Sequence, residues 1–183
     1  MLFVSSLFRD SLILSLSYTL LFRHDEIAFI SCAHLFHVDG GLKIFIPSSK
    51  TNVYKNGNTA LLAKSQVLAL LERYLALARL SVGDHHFLFG PIIRQGGRDC
   101  IDNCKLLYNS YQKILRSTLM SYNLNPDLYG FHSCRKGGAT TLAKSATNYE
   151  LLSAGRWKSA RSLSHYVKIS NKRKLQFSRA LAG

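Results

Sequence analysis

The sequence predicts an α+β, mainly α-helical domain with a small antiparallel β-sheet. Between Ser65 and Leu80 the side chains of Val67, Leu68, Leu71, Tyr74, Leu75 and Ala78 recur at helical spacing. Between Leu42 and Ile46 the period changes: Leu42, Ile44 and Ile46 alternate with Lys43 and Phe45, Pro47 ends the run, and Asn56-Gly57 is a turn signal. The chain has 183 residues, 47% of them hydrophobic and 19% charged, which is enough apolar surface for one cored domain and is not the composition of a disordered chain.

Taken in order, Arg9 to Phe22 and roughly Asp25 to Phe36 read as helices, residues 42 to about 62 as the antiparallel sheet, and Ser65 to Leu80 as the amphipathic helix. Gly83, Gly90, Pro91, Gly96 and Gly97 mark a loop. Cys104 to Tyr122 is a further helix that Asn125-Pro126 breaks, and shorter helices are expected to carry His132, Trp157 and Tyr166. The apolar run from Ser11 to Phe22 lies between Arg9-Asp10 and Arg23 and is too short to span a bilayer. Met1 to Phe8 lacks the basic stretch that opens a signal peptide. A core helix leading to Arg23, no membrane partner and no secretion are therefore expected.

The 24 Lys and Arg against 10 Asp and Glu give a formal charge of +14, which points to a polyanionic partner. Basic density is greatest near the end: Arg156, Lys158 and Arg161 precede Tyr166, and Lys168, Lys172, Arg173 and Lys174 follow it. The four cysteines, Cys32, Cys100, Cys104 and Cys134, form no paired C-x-x-C arrangement, so free thiols in a reducing compartment are expected. A zinc site from Cys100, Cys104, His85 and His86 would match no common ligand spacing, and no metal or other cofactor is expected.

The segment FHSCRKGGATTLAKSATNYELLSAGRWKSARSLSHY carries the chemistry. His132 and Arg135 are one helical turn apart; if residues 132 to 145 are helical, both side chains leave one face and can grip one phosphate. Trp157 adds an indole N–H donor and Tyr166 a phenol. Upstream, FRHDEI supplies Arg23 and Glu26, and LKIFIPSSKTNVYKNG supplies Lys50 on or near a β-turn. Taken singly, each has a plainer reading: Arg23 as a solvated helix-end residue, Lys50 as a surface lysine, Trp157 as a buried aromatic, and Tyr166 as a half-buried amphipathic side chain.

Taken jointly and in order, Arg23, Lys50, His132, Arg135, Trp157 and Tyr166 resemble the catalytic set of the tyrosine recombinase (phage integrase) family: an arginine with a Glu three residues on, a hairpin lysine, His-x-x-Arg, a His or Trp, and a nucleophilic Tyr nine residues later. The words HSCRKGGAT, GRWKS and HYVK are most similar to recombinase-like proteins of eukaryotic mobile elements. The resemblance implies the tyrosine recombinase catalytic-domain fold as a single domain over residues 1–183, with the family's N-terminal core-binding domain absent. It implies DNA strand breakage and rejoining through a 3′-phosphotyrosyl intermediate on Tyr166, serving DNA recombination and integration. Arg23 and Arg135 would hold the phosphate with His132 as a further donor or proton acceptor, Trp157 would donate to a phosphate oxygen, and Lys50 would protonate the departing 5′ hydroxyl. Arg156, Lys158, Arg161 and Lys168 would contact DNA, and Glu26 would orient a neighbouring basic group. The implied partners are double-stranded DNA and further copies assembled into a synapse, in the nucleus if the source is eukaryotic and in the cytoplasm otherwise. A catalytically inactive DNA-binding remnant is the alternative.

Overall fold

In the computed structural model, which describes residues 5–47, 57–166, 175, 176, 178 and 179, helix α1 (Ser6–Thr19) starts at Ser5, whose hydroxyl accepts from the Phe8 N–H. Leu12, Ile13 and Leu16 form its buried stripe. The helix was expected to run to Phe22 but stops at Thr19, because Leu21 turns the chain into the left-handed region at φ +54°. Helix α2 (His24–Ala28) follows at once and is also shorter than the sequence implied. Long-range pairing ends it: Ser31 bridges Phe87, the Cys32 N–H donates to the His86 carbonyl, and residues Cys32–His34 form one 3-10 turn.

Strands β1 (Leu35–Val38), β2 (Gly41–Ile46) and β3 (Asn58–Ala63) form an antiparallel sheet in the order β1-β2-β3. Its first strand occupies residues expected to be helical, because the Asp39-Gly40 turn, with Gly40 at φ +79°, folds β1 back onto β2. Leu42, Ile44 and Ile46 face the core as the alternation required, with Leu62 paired to Leu42 and Ala60 to Ile44. Residues 48–56 lie outside the described residues.

Helix α3 (Gln66–Ala78), capped by the Ser65 hydroxyl on the Leu68 N–H, buries Leu68, Leu71, Tyr74 and Leu75. The glycine-marked loop after it contains a second hairpin, β4 (Ile92–Gln95) and β5 (Arg98–Ile101), turned by Gly96-Gly97, both at positive φ. Helix α4 (Tyr108–Ser121) begins later than Cys104, because the Asn103 side chain accepts from the Phe87 N–H at 2.9 Å and keeps the preceding segment extended. Helices α5 (His132–Leu142), α6 (Asn148–Gly155) and α7 (Ala160–Ser164) complete the described chain. His132 opens α5, whereas Trp157 lies in the link between α6 and α7 and Tyr166 in the turn after α7, so only the first of these three is helical.

Two hydrophobic clusters result. The larger one joins α1, α2, the three-stranded sheet, α3 and α4. The smaller consists of Leu21, Ala139, Leu151, Trp157 and Leu163, with Tyr166 packed against it. Among the described residues no helix is long and apolar enough to cross a membrane, and no group of three His, Cys, Asp or Glu side chains could hold a metal ion.

Candidate active site

The seam between the two clusters is polar. Helix α5 approaches the end of α1 through Gly138, where a Cβ would stand 2.2 Å from the Tyr18 carbonyl oxygen and 2.6 Å from the Leu21 side chain. This approach inserts Arg135, one turn earlier on α5, between the clusters, where it is 0% exposed. Its Nη1 donates to the Leu21 carbonyl and its Nη2 to the Gly155 carbonyl, in both cases closely. The left-handed turn at Leu21 and the end of α6 thus supply its acceptors.

Glu26, also 0% exposed, is the single carboxylate among three guanidiniums. Its Oε1 accepts from Arg23 Nη1 at 2.7 Å, and its Oε2 accepts from the Arg23 backbone N–H at 2.9 Å and from Arg156 Nη2 at 3.0 Å. Arg135 Nη1 stands 3.7 Å from the same Oε2. Burial by itself would raise the Glu26 carboxyl, but the charge and hydrogen bond of Arg156, followed by those of Arg23, more than offset it and hold the group below its ordinary 4.5. Arg135 is pulled down from its ordinary value to about 10, first by burial and then by Arg23, with Glu26 opposing, and it remains a cation at neutral pH. Among the described residues these three cations share one anion, so the four ion-paired side chains carry a net positive charge of two.

Aromatic rings cover the guanidinium. Arg135 lies 4.4 Å from the centroid of the Trp157 ring and 5.5 Å from that of Tyr166, and the two rings meet at a tilt of 52° with their centroids 5.1 Å apart. Gly155 permits this, because a Cβ there would sit 1.7 Å from the Trp157 ring. Tyr166 is half-buried, and its own carbonyl accepts from the Thr140 hydroxyl on α5 at 3.2 Å. Arg135 Nε, Arg156 Nε and Trp157 Nε1 are buried donors without an acceptor among the described residues. Arg135 retains three of its five N–H groups after serving the two carbonyls.

His132 is exposed at the head of α5. Partial desolvation lowers its pKa below 6.5, helped by the charges of His24, Arg23 and Arg135 and opposed by Asp25, so the imidazole is neutral at pH 7. His24 in turn meets Tyr108 edge-on with centroids 4.6 Å apart, and its Nδ1 is 2.9 Å from Asp25 Oδ1.

Of the sequence-selected set, Arg135, Trp157 and Tyr166 meet directly, Arg23 joins them through Glu26, and His132 joins them electrostatically. Lys50 and Lys168 lie outside the described residues. Lys158 and Arg161 are exposed close to Tyr166 in the chain. Arg156 requires a correction: expected on the DNA-contacting surface, its side chain is only 7% exposed and turns inward to Glu26 and the end of α1. Nothing in the local sequence signals this, since the acceptors lie more than a hundred residues upstream.

No protein-family model matches the chain, and no curated protein matches it. Solved structures do. The site-specific recombinase XerH bound to palindromic difH substrate, a post-cleavage complex, superposes with a TM-score of 0.75 at 16% identity, over 100% of this chain and 48% of that one. The XerA recombinase gives 0.68 at 13% identity over 100% of this chain and 64% of that one. The Tn1549 transposon integrase in complex with circular intermediate DNA gives 0.67 at 14% identity over 96% and 57%. The chain therefore spans about half the length of the recombinase structures it matches.

Proposed function

Starting from the catalytic-domain fold of tyrosine recombinases, which this chain has, we propose that it breaks and rejoins DNA strands through a 3′-phosphotyrosyl intermediate on Tyr166, in recombination or integration. The observation that carries the reading is the packing of the Tyr166 ring against Arg135 and Trp157, whose Nε and Nε1 donors have no acceptor among the described residues, within a seam of net positive charge. A nucleophile and donors for a phosphate oxyanion thus share one place.

The residues divide the work. Arg23 and Arg135 neutralise the non-bridging oxygens, and Trp157 donates through its indole N–H. Tyr166 Oη forms its bond to phosphorus as the bond to the 5′ oxygen breaks. The neutral His132 accepts the phenolic proton, and Lys50 delivers a proton to the departing 5′ oxygen. Because Arg135 is buried beneath the two rings, phosphate binding requires Tyr166 to swing off the guanidinium, the motion that also presents its oxygen. Lys158, Arg161 and Lys168 contact the duplex, and several copies assemble on DNA to exchange strands. Storing the bond energy in the phosphotyrosyl link removes the need for ATP or a metal.

The full burial of Arg135 is also the observation that favours the second reading, a DNA-binding remnant without catalysis. One experiment separates the two: incubation with a nicked duplex, followed by denaturing electrophoresis. The wild type should yield a protease-sensitive covalent adduct that Tyr166→Phe eliminates while duplex binding persists. Binding without any adduct would establish the remnant, and an adduct surviving in Tyr166→Phe would remove Tyr166 from the role.

A further inference from the structure

Arg79 and Arg156 end helices α3 and α6 with almost the same backbone, φ 57° and ψ 38° against φ 57° and ψ 39°. Both occupy the left-handed region, where glycine is at ease and an L side chain is strained by roughly 1–2 kcal/mol. Arg79 is exposed, and its side chain makes no hydrogen bond or ion pair among the described residues. The Arg156 side chain, in contrast, binds through both terminal nitrogens of its fork. Its Nη1 donates to the Leu20 carbonyl at 3.2 Å and the Ala154 carbonyl at 3.0 Å; its Nη2 donates to the carbonyls of Leu20 at 3.1 Å and Leu21 at 3.0 Å and to Glu26 at 3.0 Å. The guanidinium also lies 5.3 Å from the centroid of the Phe22 ring. The end of α1, the start of α2 and the end of α6 are thus joined by one side chain.

Its acceptors are shared with the two arginines proposed to bind phosphate. Glu26 is the carboxylate that holds Arg23, and Leu21 is the carbonyl that holds Arg135. We propose that Arg156 is a positioning residue: by occupying Glu26 and the Leu20 and Leu21 carbonyls together, it fixes Arg23 and Arg135 in the arrangement that meets the reacting phosphate. This rests on the function proposed above. Without Arg156, Glu26 loses a direct cation partner, and the nearest replacement is Arg135, 3.7 Å away. Arg135 then closes onto Glu26 and withdraws its charge from the phosphate. A lysine restores the charge but not the planar fork that reaches a carboxylate and two carbonyls at once, so it rescues only in part. Since Arg156 is nearly buried, its removal acts on the rate and not on duplex affinity.

The test uses the full chain as wild type, R156G, R156K and R79G. At saturating nicked duplex, R156G should form the Tyr166 adduct on the order of 10²-fold more slowly, the cost of a misplaced catalytic group, with R156K in between. On a duplex whose scissile phosphate is an uncharged methylphosphonate the deficit should shrink, because less anionic charge then depends on Arg23 and Arg135. R79G, relieved of the same backbone strain, should keep the wild-type rate and melt about 2–4 °C higher. Equal adduct rates for wild type and R156G would overturn the proposal, as would a loss in duplex affinity without a loss in rate. A wild type that forms no adduct counts against the proposed function alone. Positioning is then read from the arginine Nε–H resonances, where Arg23 and Arg135 should both shift in R156G and R156K and stay in place in R79G. Unchanged Arg23 and Arg135 resonances in R156K and in R156G would overturn it, whatever the activity.

Discussion

The two hydrophobic clusters are held in opposite ways. The larger is mainly apolar, with Leu71, Ile13, Leu16 and Ile44 fully buried and layered between α1, α3 and the sheet. The smaller gathers only Leu21, Ala139, Leu151, Trp157 and Leu163 as its buried set, far fewer apolar side chains than the larger. Polar bonds make up the difference: Arg135 and Arg156 tie the end of α6 to the end of α1, and Glu26 gathers them with Arg23. The candidate active site is therefore also the fastening between the two parts. Three guanidiniums around one carboxylate leave charge in the seam uncompensated, which limits its stability.

The largest expected break comes from Arg135→Ala, which takes the side-chain donor from the Gly155 carbonyl, leaves the Leu21 carbonyl to Arg156 alone and removes a buried cation; about 3–5 kcal/mol of stability should be lost. Because Trp157 is the only tryptophan, its fluorescence reports the smaller cluster while far-UV circular dichroism reports all the helices. In urea the Trp157 midpoint should fall further than the dichroism midpoint. Identical midpoints would mean that the clusters unfold as one unit.

Leu71→Ala and Leu151→Ala sharpen the same contrast from the apolar side. Leu71 has no exposed surface in the larger cluster, and its truncation should cost about 2–5 kcal/mol and lower both probes together. Leu151→Ala, in the smaller cluster, should act chiefly on the Trp157 signal. Gly138→Ala comes next, at about 1–3 kcal/mol, because its methyl would push α5 off the Tyr18 carbonyl and displace Arg135 with it. Its adduct yield should fall more steeply than its melting temperature, and parallel losses would argue that α5 packing has no link to the site.

The smallest effect at neutral pH is acid sensitivity. The folded-state pKa of Glu26 is depressed, so its contribution to stability is fully present above the unfolded value near 4.5 and is lost as pH falls through the lower folded value. His132, also depressed, has the same sign in a window below 6.5. Trp157 fluorescence should therefore change before the dichroism does as pH drops below 4.5. In Glu26→Gln that acid-side separation should vanish, and its persistence would assign the effect to another carboxylate.

Several elements were legible because their signal is local. The face of α3 and the alternation of β2 follow from period alone, and both stand where the sequence put them. Strands β1, β4 and β5 were missed because most of their side chains are exposed, so no buried alternation marks them, although Asp39-Gly40 and Gly96-Gly97 are hairpin turns that could have been read. The early end of α2 depends on the Ser31–Phe87 bridge, a pairing invisible at short range.

The sequence by itself determined the fold class and singled out Arg23, His132, Arg135, Trp157 and Tyr166 as candidates, because their order and spacing survive in one dimension. Only the tertiary structure decided which of the basic residues face inward. Arg156 and Arg161 look alike in the chain, yet one is held by Glu26 and the carbonyls of Leu20 and Leu21 while the other is exposed. The physical reason is that a buried guanidinium is tolerated only where acceptors converge on it, and here those acceptors come from the broken end of α1 and the start of α2, brought to α6 by the packing of α5 through Gly138.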